Sequence, residues 1–413
     1  MAKLLNTAKR GEFQLALVIV IFLILSAGIF WANYRIAETY PIGKDFLVHW
    51  VAARSFIFEG DSPYSDATTQ KIQELVFTSP SYGNENDLRF LSPFYSLVIY
   101  APFSFIEDYK TASALWMTSL VICIFVTAFY SITLCGWQQS LWFLPLFFLF
   151  SLFWYPGLRT LYEGSDVILV GLLMVLGLLA IKKGSDITAG VLIALTTIQP
   201  LLVILFIFVV LIWAISKRRR ILVWWLIGGI FALILSGMVF LPDWLLQNIW
   251  GILKLQDYNL GLTIGPDLEI WWPGIGTQLK WGISILLTLS VLIEIILMRK
   301  QGFTNLLWTI CLSLNFSQWI GINNDTGNFI LLLLPIVLIF SVIKERWNNK
   351  GDWINLTILL LFLVGLWGII LITNEIGGQF HQPPVMLILL PLITLVGLYW
   401  IRWWINISIR DIL

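Results

Sequence analysis

A carboxylate and an imidazole lie four residues apart in a chain that is otherwise largely apolar. Asp45 and His49 follow the first hydrophobic stretch and stand near the start of the longest polar loop in the sequence. If this run is helical, a spacing of four residues puts both side chains on one face. A carboxylate or an imidazole held in place can take a proton from a reacting hydroxyl. These two residues are therefore the leading candidates for chemistry.

The elements that position them are predicted to cross a membrane. Hydrophobic residues make up 59% of the 413 residues and charged residues 12%, which is more apolar surface than a soluble domain can bury. A crossing helix needs about 20 mainly apolar residues. We predict an all-α polytopic protein, because β-strand alternation is missing and backbone groups in hydrocarbon must be satisfied internally. About twelve helices are predicted, at 14–33, 91–106, 111–134, 140–156, 164–181, 187–216, 221–241, 279–298, 303–321, 328–343, 353–373 and 383–403.

The distribution of positive charge predicts the orientation. If both termini are cytoplasmic, most of the 25 lysines and arginines fall on the inner side, as the positive-inside rule expects for a multi-pass protein of the cell membrane. Lys182 and Lys183 are the exception, because twelve alternating helices place them outside. The prediction is a single transmembrane domain, 1–413, with large outer loops at 34–90 and 242–278.

The outer loops are predicted to carry amphipathic surface helices. In 45–59, apolar residues gather on one side and Asp45 and His49 on the other, which is typical of a helix lying in the headgroup region. Asp66 can cap a second short helix that ends near Phe77. A further surface helix is predicted from Pro242 to about Leu255.

Several other kinds of site find no support in the sequence. It contains no zinc signature, phosphate-cradling glycine loop or nucleotide fingerprint, so we predict neither a metal nor a cofactor. The three cysteines have no disulfide or ligand spacing. The basic run 217–220 is short and joins two hydrophobic stretches, so a nucleic-acid partner is not predicted.

Four segments carry a resemblance to a known family. They are Asp45-Phe46 through Ala52-Ala53 to Gly60-Asp61-Ser62-Pro63-Tyr64; Phe90-Leu91-Ser92-Pro93-Phe94 with Ala101-Pro102, Ala112 and Leu115-Trp116; Leu161-Tyr162-Glu163-Gly164; and Gln199-Pro200. In their order and spacing they resemble glycosyltransferase family 87, polytopic enzymes of the type-C glycosyltransferase fold that include polyprenyl-phosphate-mannose-dependent mannosyltransferases. The resemblance covers about the first half of the chain.

Two departures from the family pattern stand out. Gln199 precedes the proline where family members often have lysine. Many members carry Trp and paired His near a late crossing helix, whereas this chain has Trp319-Ile320-Gly321-Ile322-Asn323-Asn324-Asp325. If those histidines act in catalysis elsewhere, that role is absent or has moved in this protein.

The resemblance implies a reaction and a base. The protein would move a hexosyl group, with mannosyl as a candidate, from a polyprenyl-phosphate donor to a hydroxyl of a glycan or lipid acceptor at the outer face. The resemblance implies that the transfer inverts the anomeric configuration. By resemblance, Asp45 is the general base. The alternative is that Asp45 caps its helix, since Asp is a preferred N-cap. His49 could hold Asp45 in place or bind the donor phosphate, or it is an ordinary interfacial histidine.

The leaving phosphate needs cationic partners. The candidates on the predicted outer face are Arg54, Arg89, Lys254, Lys280 and His381, and the alternative is that these are ordinary surface or structural residues. Glu163 follows Arg159 by four residues, so the two are predicted to pair or to cap a helix. A transporter or flippase for a lipid-linked sugar is the alternative function, because Gln199-Pro200 could interrupt a crossing helix. A non-catalytic accessory subunit is the third.

Overall fold

A computed structural model describes residues 2–39, 43–77, 88–253, 268–269, 271–319, 326–373 and 384–408. The regular elements in those ranges are helices. The α-helices are α1 Ala2–Thr39, α2 Lys44–Arg54, α3 Asp66–Phe77, α4 Leu97–Ser104, α5 Tyr109–Cys135, α6 Phe143–Phe153, α7 Tyr155–Glu163, α8 Val167–Lys182, α9 Asp186–Leu195, α10 Pro200–Ser216, α11 Arg220–Phe240, α12 Trp244–Leu253, α13 Gly276–Met298, α14 Phe303–Ser317, α15 Leu333–Thr373 and α16 Pro384–Ser408. A π-helix at Ser55–Glu59 and 3₁₀ turns at Phe94–Ser96, Thr196–Ile198 and Thr326–Leu332 complete them.

Six helical stretches are long and apolar enough to cross a membrane: Ile19–Thr39, Tyr109–Cys135, Arg220–Phe240, Gly276–Met298, Thr326–Ile372 and Val385–Trp404. The pair α6 and α7, bent by 48°, forms a seventh if it is counted as one crossing. The all-α membrane fold is thereby confirmed. The number of about twelve crossings stays a prediction, because four further apolar helices have 10–17 residues, fewer than the roughly 20 that a crossing needs.

The longest stretch contains a reversal of direction. Asn348 has φ 46° and ψ −122°, which breaks α15 into two arms. The arms pack side by side, since the Asn355 side-chain amide donates to the Phe340 carbonyl at 3.0 Å. Lys344 and Asp352 pair across the turn at 2.6 Å. The stretch therefore forms two antiparallel helical arms, in agreement with the prediction of two separate helices at 328–343 and 353–373.

The segment 91–106, which was predicted to cross the membrane, does not cross. Both of its ends contact the 11-residue helix α2: Ser92 bonds His49 at 2.8 Å, and the Phe103 carbonyl accepts from Trp50 Nε1 at 3.1 Å. Since α2 is about 16 Å long and the hydrocarbon core about 30 Å thick, both ends lie on one side. The prediction was wrong because α4 has only 8 residues and turns one face, with Leu97 and Tyr100, into the protein, while Val98 on its other face is exposed.

As a result, α5 begins on the side where α1 ends. The Tyr109 hydroxyl donates to the Gly43 carbonyl at 2.9 Å, and Asn33 of α1 donates to Thr118 of α5 at 3.2 Å. The two helices therefore run antiparallel. We call the side of the bundle that contains Gly43, Tyr109 and Gly164 the Gly43 end.

The run 187–216, predicted as one crossing helix, is a hairpin. Asp186 begins α9 and forms an ion pair with Arg219, which follows α10. A straight helix over these 30 residues would separate its ends by about 45 Å. The chain reverses instead at Gln199, whose φ of −120° is not helical, and Pro200 then begins α10. Proline has no N–H to give to a continuing helix, so it fits this position.

These two corrections rearrange the charges. The Lys182 ammonium donates to the carbonyl of Leu134, at the far end of α5, over 2.8 Å, so Lys182 and Lys183 join the basic turn 217–220 at the end opposite Gly43. We call this the Asp186 end. Arg159, predicted on the inner side, lies instead in the helix that leads to Gly164. Lys182 and Lys183 thus share an end with the basic turn 217–220, whereas Arg159 and Lys110 lie at the Gly43 end.

Helix α2 is not a surface helix. Residues 46–53 are buried without interruption along both of its sides, whereas a helix in the headgroup region would expose one side. Phe46 is fully buried and packs on Trp116 with ring centroids 5.6 Å apart. The pattern in 45–59 did predict a helix correctly, but both of its faces pack against protein. In contrast, α12 does expose apolar side chains, namely Leu246, Ile249, Trp250 and Leu253.

Candidate active site

Asp45 lies in the first turn of α2, at the Gly43 end. The cap of this helix is Gly43, which has φ 84°, and its carbonyl accepts from the Leu47 N–H at 2.7 Å. Asp45 is therefore not the N-cap, and the capping role considered for it is wrong. A carboxylate in the first turn is still favoured by the helix dipole. Its side chain is half-buried.

The backbone before Asp45 is fixed by two other helices. The Gly43 N–H donates to the Tyr162 carbonyl at the end of α7 over 2.9 Å, and the Gly43 carbonyl accepts from Tyr109 of α5. A Cβ on Gly43 would stand 2.9 Å from the Tyr109 hydroxyl oxygen, which is too close. Glycine is thus required both for the positive φ and for the close approach. The position of Asp45 is set by the packing of three helices.

His49 uses both of its ring nitrogens. Nδ1 lies 2.6 Å from the Asp45 carbonyl oxygen and Nε2 lies 2.8 Å from the Ser92 hydroxyl. Because a backbone carbonyl can only accept, Nδ1 carries a proton; in the neutral ring, Nε2 then accepts from Ser92. The ring stacks on Tyr100 at 4.4 Å and meets the edge of Phe90 at 5.3 Å. This arrangement favours the predicted role of holding the Asp45 segment over binding a phosphate.

The Ser92 segment is held in turn by α12 and by Tyr64, which precedes α3. The half-buried Tyr64 donates its hydroxyl proton to the Ser92 carbonyl at 2.8 Å, and Asn248 of α12 donates to the Leu91 carbonyl at 2.7 Å. Burial raises the pKa of Tyr64 above its usual range, so this phenol keeps its proton and remains a donor. The chain before α4, α12 and the His49 ring therefore form one connected unit.

A second carboxylate, which sequence analysis did not single out, lies at the same end. Asp166 precedes α8, and its side chain is 1% exposed. Its Oδ1 accepts from the Gln199 amide at the tip of the α9–α10 hairpin over 2.7 Å. Tyr100 is also fully buried, and its hydroxyl has no hydrogen-bond partner among the described residues. Its chain neighbour Glu163 drew attention in the sequence, but burial of Asp166 and the pairing with Gln199 carried no sequence signal.

The four segments singled out in the sequence meet at this end. Trp116 donates to the Gly164 carbonyl at 2.7 Å, Phe46 stacks on Trp116, and Tyr95 donates to the Thr197 carbonyl just before Gln199 at 2.8 Å. A Cβ on Gly164 would stand 2.9 Å from the Phe46 Cβ. Segments that are far apart in the chain thus form one contact network around Asp45 and His49.

The family profile of glycosyltransferase family 87 matches residues 90–317. This protein belongs to glycosyltransferase family 87. The match covers more than half of the chain and includes Ser92, Tyr100, Asp166 and Gln199. Comparison with curated proteins and with solved structures gives no match. Membership of glycosyltransferase family 87 makes the protein a membrane glycosyltransferase.

Among the cations predicted to bind the leaving phosphate, Arg54 is held by contacts within this family 87 member. Its guanidinium donates to the Ser104 carbonyl at 2.7 Å and lies 4.9 Å from the Trp50 ring centroid. It lies nine residues beyond Asp45 along α2, about 14 Å away. Lys280 is buried in the second turn of α13, 5.9 Å from the Trp281 ring centroid. Lys254 and His381 lie outside the described residues.

Two arginines of the family 87 member stand closer to the Asp45 network. Arg89 directly precedes Phe90, whose ring packs on His49. Arg159 pairs with Glu163, as the sequence predicted, and these two lie in α7, which ends beside Gly43. The next residue, Thr160, bonds the Gly327 carbonyl at 2.5 Å. Sequence analysis placed Arg159 on the opposite side, because it counted 91–106 as a crossing helix.

Proposed function

We propose that this protein transfers a hexosyl group, with mannosyl as the leading candidate, from a polyprenyl-phosphate donor to a hydroxyl of a glycan or lipid acceptor. The reaction takes place at the Gly43 end, and Asp45 is the general base. The observation that carries the proposal is the placement of Asp45: a half-buried carboxylate at the end of the bundle, on a helix start that α5 and α7 both fix.

The proposed chemistry is a single displacement. The Asp45 carboxylate takes the proton of the acceptor hydroxyl while the hydroxyl oxygen forms a bond to the anomeric carbon. The bond from that carbon to the phosphate oxygen breaks, and its electron pair leaves with the polyprenyl phosphate. Attack from the side opposite the leaving group inverts the anomeric configuration. The phosphate then carries the negative charge that Asp45 loses.

A lipid-linked donor suits the surface beside the site. α12 presents the apolar side chains Leu246, Ile249 and Trp250 outward, while Asn248 on its inner side holds the Leu91 carbonyl. A helix with one apolar exposed face and one face tied to protein favours contact with acyl or prenyl chains. The donor tail would lie along this surface, and its sugar would reach Asp45.

For the leaving phosphate we favour Arg89 and Arg159. Both lie next to elements that contact Asp45 or His49, and a guanidinium can offer two parallel N–H groups to phosphate oxygens. Arg54 is less suited, because it lies nine residues beyond Asp45 along α2, about 14 Å away.

The same proposal places the Gly43 end on the outer face of the cell membrane, with both termini in the cytoplasm. Lys182, Lys183 and the basic turn 217–220 support this orientation, because they gather at the Asp186 end and positive residues stay preferentially inside. The outer loops 34–90 and 242–278 then belong to the side of the catalytic site, as they do in the single-domain prediction for 1–413.

The test is transfer by the purified protein from a radiolabelled polyprenyl-phosphate sugar, with mass spectrometry of the product. Asp45→Asn and Asp45→Ala should lose at least about 100-fold in rate, since a positioned base contributes roughly 10²–10⁴-fold. Asp66→Asn is the matched control. Asp66 is also in the first turn of a helix at this end, but it is exposed, so its rate should equal that of the wild type.

Normal transfer by both Asp45 variants would exclude Asp45 as the base. Movement of a lipid-linked sugar across vesicles without transfer would favour the transporter instead, and neither activity together with a co-purifying enzyme would favour an accessory subunit. The structure weakens the main support for transport. Gln199-Pro200 lies at the tip of a hairpin rather than halfway along a crossing helix.

A further inference from the structure

Two side chains hold three turns together at the Asp186 end. The turns join α8 to α9, α10 to α11 and α13 to α14. Arg219, in the turn before α11, donates to the Ile181 carbonyl of α8 at 3.1 Å and pairs with Asp186 at the start of α9. Trp213, near the end of α10, donates to the Gln301 carbonyl in the turn before α14 at 3.1 Å. The turn between α10 and α11 therefore lies between the other two.

The middle turn is itself well fixed. Trp213 is buried, and the Arg219 guanidinium lies 5.5 Å from its ring centroid. Within the turn, the Arg219 N–H donates to the Ala214 carbonyl at 2.9 Å, and the Arg218 N–H donates to the Ile215 carbonyl at 3.0 Å. The three turns thus form one continuous surface, which we call the basic patch; it comprises residues 183–185, 217–220 and 299–302.

The basic patch contains exposed cations without counter-charges. Among the described residues, none of them forms an ion pair; they are Lys183, Lys217, Arg218, Arg220, Arg299 and Lys300. Asp186, the acidic residue beside these turns, is already paired with Arg219. In contrast, Lys344 at the same end pairs with Asp352 at 2.6 Å. Like charges gathered in this way create a positive potential that attracts anions.

Exposed apolar side chains border the patch and indicate its depth in the membrane. Ile215 precedes the middle turn, and Ile221 and Trp224 follow it; they are 62%, 55% and 74% exposed. Since α11 is long and apolar enough to cross the bilayer, these side chains face lipid, and the cations beside them lie at the level of the headgroups. A bilayer would cover the apolar side chains and meet the cations with its phosphates, whereas a soluble acidic partner would contact only the cations.

We propose that the basic patch binds the headgroups of anionic phospholipids in the leaflet at the Asp186 end. Ammonium and guanidinium groups donate charge-assisted hydrogen bonds to phosphate oxygens. A zwitterionic headgroup brings its own positive charge into the patch, so a headgroup with a net negative charge is preferred. The site lies at the end of the bundle opposite Asp45, and the proposal does not depend on sugar transfer.

The test is lipid binding by the full-length protein purified in detergent. A ligand that binds the folded state raises the unfolding midpoint, so a lipid titration gives an apparent dissociation constant. Phosphatidylglycerol should bind at least about 10-fold more tightly than phosphatidylcholine with the same acyl chains. Raising the salt from about 0.1 M to about 1 M shortens the screening length from roughly 10 Å to 3 Å and should remove most of this preference.

A pair of charge-matched double variants locates the site. Lys217→Gln with Arg220→Gln should weaken phosphatidylglycerol binding at least about fivefold, since each cation near an anionic surface contributes roughly that factor. Phosphatidylcholine binding should stay unchanged. The control is Lys110→Gln with Lys350→Gln, which also removes two exposed cations but lies outside the patch. It should bind both lipids as the wild type does.

The two flanking turns can be tested in the same way. Lys183→Gln with Lys300→Gln should lower the affinity for phosphatidylglycerol by a similar factor, because the three turns form one surface. Combining these changes with Lys217→Gln and Arg220→Gln should abolish the preference for the anionic lipid. Should the middle-turn variant not fold, the flanking-turn variant decides the question alone.

Four results would overturn the proposal. They are equal affinity of the wild type for the two lipids, and an equal loss of affinity in the control and in the variants of the patch. The third is displacement of phosphatidylglycerol by inorganic phosphate, which would identify a site for a free anion. The fourth is a larger rise of the unfolding midpoint with a polyglutamate peptide than with phosphatidylglycerol, which would identify an acidic protein as the partner.

Discussion

Gly43 and Gly164 lie in contact, with both backbones in the left-handed region: φ is 84° at Gly43 and 69° at Gly164. A Cβ on Gly164 would stand 3.3 Å from the Gly43 Cα and 2.9 Å from the Phe46 Cβ. The contact joins the start of α2 to the turn between α7 and α8. It sets the distance between the two carboxylates, since Asp45 follows one glycine by two residues and Asp166 follows the other by two.

Replacing Gly164 by alanine should therefore disturb both stability and activity. Gly164→Ala adds a methyl group into the Phe46 contact and forces alanine into a left-handed conformation, for a cost of about 1–3 kcal/mol. Gly136→Ala is the matched control, because Gly136 has φ 65° but open space around it. Thermal unfolding in detergent should show the larger loss for Gly164→Ala. Equal losses would mean that the close approach contributes nothing.

The hydrogen bonds of His49 make a graded prediction. Ser92→Ala removes one bond to the ring and should lower the transfer rate about fivefold, while His49→Phe keeps an aromatic ring on Tyr100 but removes both bonds and should cost at least 10-fold. The comparison uses kcat of folded, purified variants. If His49→Phe transfers sugar as fast as the wild type, His49 serves packing alone.

The folding of 91–106 back to its starting side can be tested by cysteine accessibility. Asp66→Cys and Lys110→Cys should react with a membrane-impermeant maleimide on intact cells, because both lie at the Gly43 end. Lys183→Cys, at the Asp186 end, should react only after the membrane is opened. The wild type, which carries Cys123, Cys135 and Cys311, supplies the background. Labelling of positions 66 and 110 from opposite sides would show that 91–106 crosses after all.

The N-terminus of α5 makes a prediction about pH. Asp108 caps this helix and accepts from the Thr111 hydroxyl and, at 3.0 Å, from the Thr111 N–H; the Thr111 hydroxyl, followed by backbone N–H groups, lowers the pKa of Asp108. Because the folded pKa is depressed, the stabilisation is complete above the unfolded pKa and is lost as the pH falls through the folded one. Asp108→Ala should cost about 0.5–2 kcal/mol at neutral pH.

The difference in unfolding midpoint between the wild type and Asp108→Ala should accordingly disappear in acid, at pH values below the ordinary pKa of an aspartate side chain. Glu107→Ala removes the adjacent exposed carboxylate and should show no such dependence. A gap that stays constant down to strong acid would mean that the ionised carboxylate does not cap α5.

Much of the fold followed from residue types. Long apolar runs predicted crossing helices at Tyr109–Cys135, Arg220–Phe240 and Gly276–Met298, since hydrocarbon selects apolar side chains and internal hydrogen bonds regardless of the neighbours. The i,i+4 spacing of Arg159 and Glu163 predicted their pairing, which is a local property of a helix. The helix that carries Asp45 and His49 was predicted for the same reason.

The positions at which the chain reverses its direction could not be predicted from the local sequence. Apolar residues in α4 pack against α2 and α5, and those in α9 and α10 form a hairpin, yet both runs resemble crossing helices, because burial in protein and burial in lipid require the same side chains. The ion pair between Asp186 and Arg219 and the bond between Tyr109 and Gly43 decide these reversals, and each joins residues distant in sequence.

By itself, then, the sequence determined that this chain is a helical membrane protein of glycosyltransferase family 87 type, with Asp45 and His49 as candidates. Tertiary structure decided which residues join them: it brought Asp166, Tyr100, Gln199 and Arg159 to the Gly43 end. The physical reason is that hydropathy measures how much apolar surface a segment has but carries no information on its direction. Direction depends on contacts between segments that only the folded chain brings together.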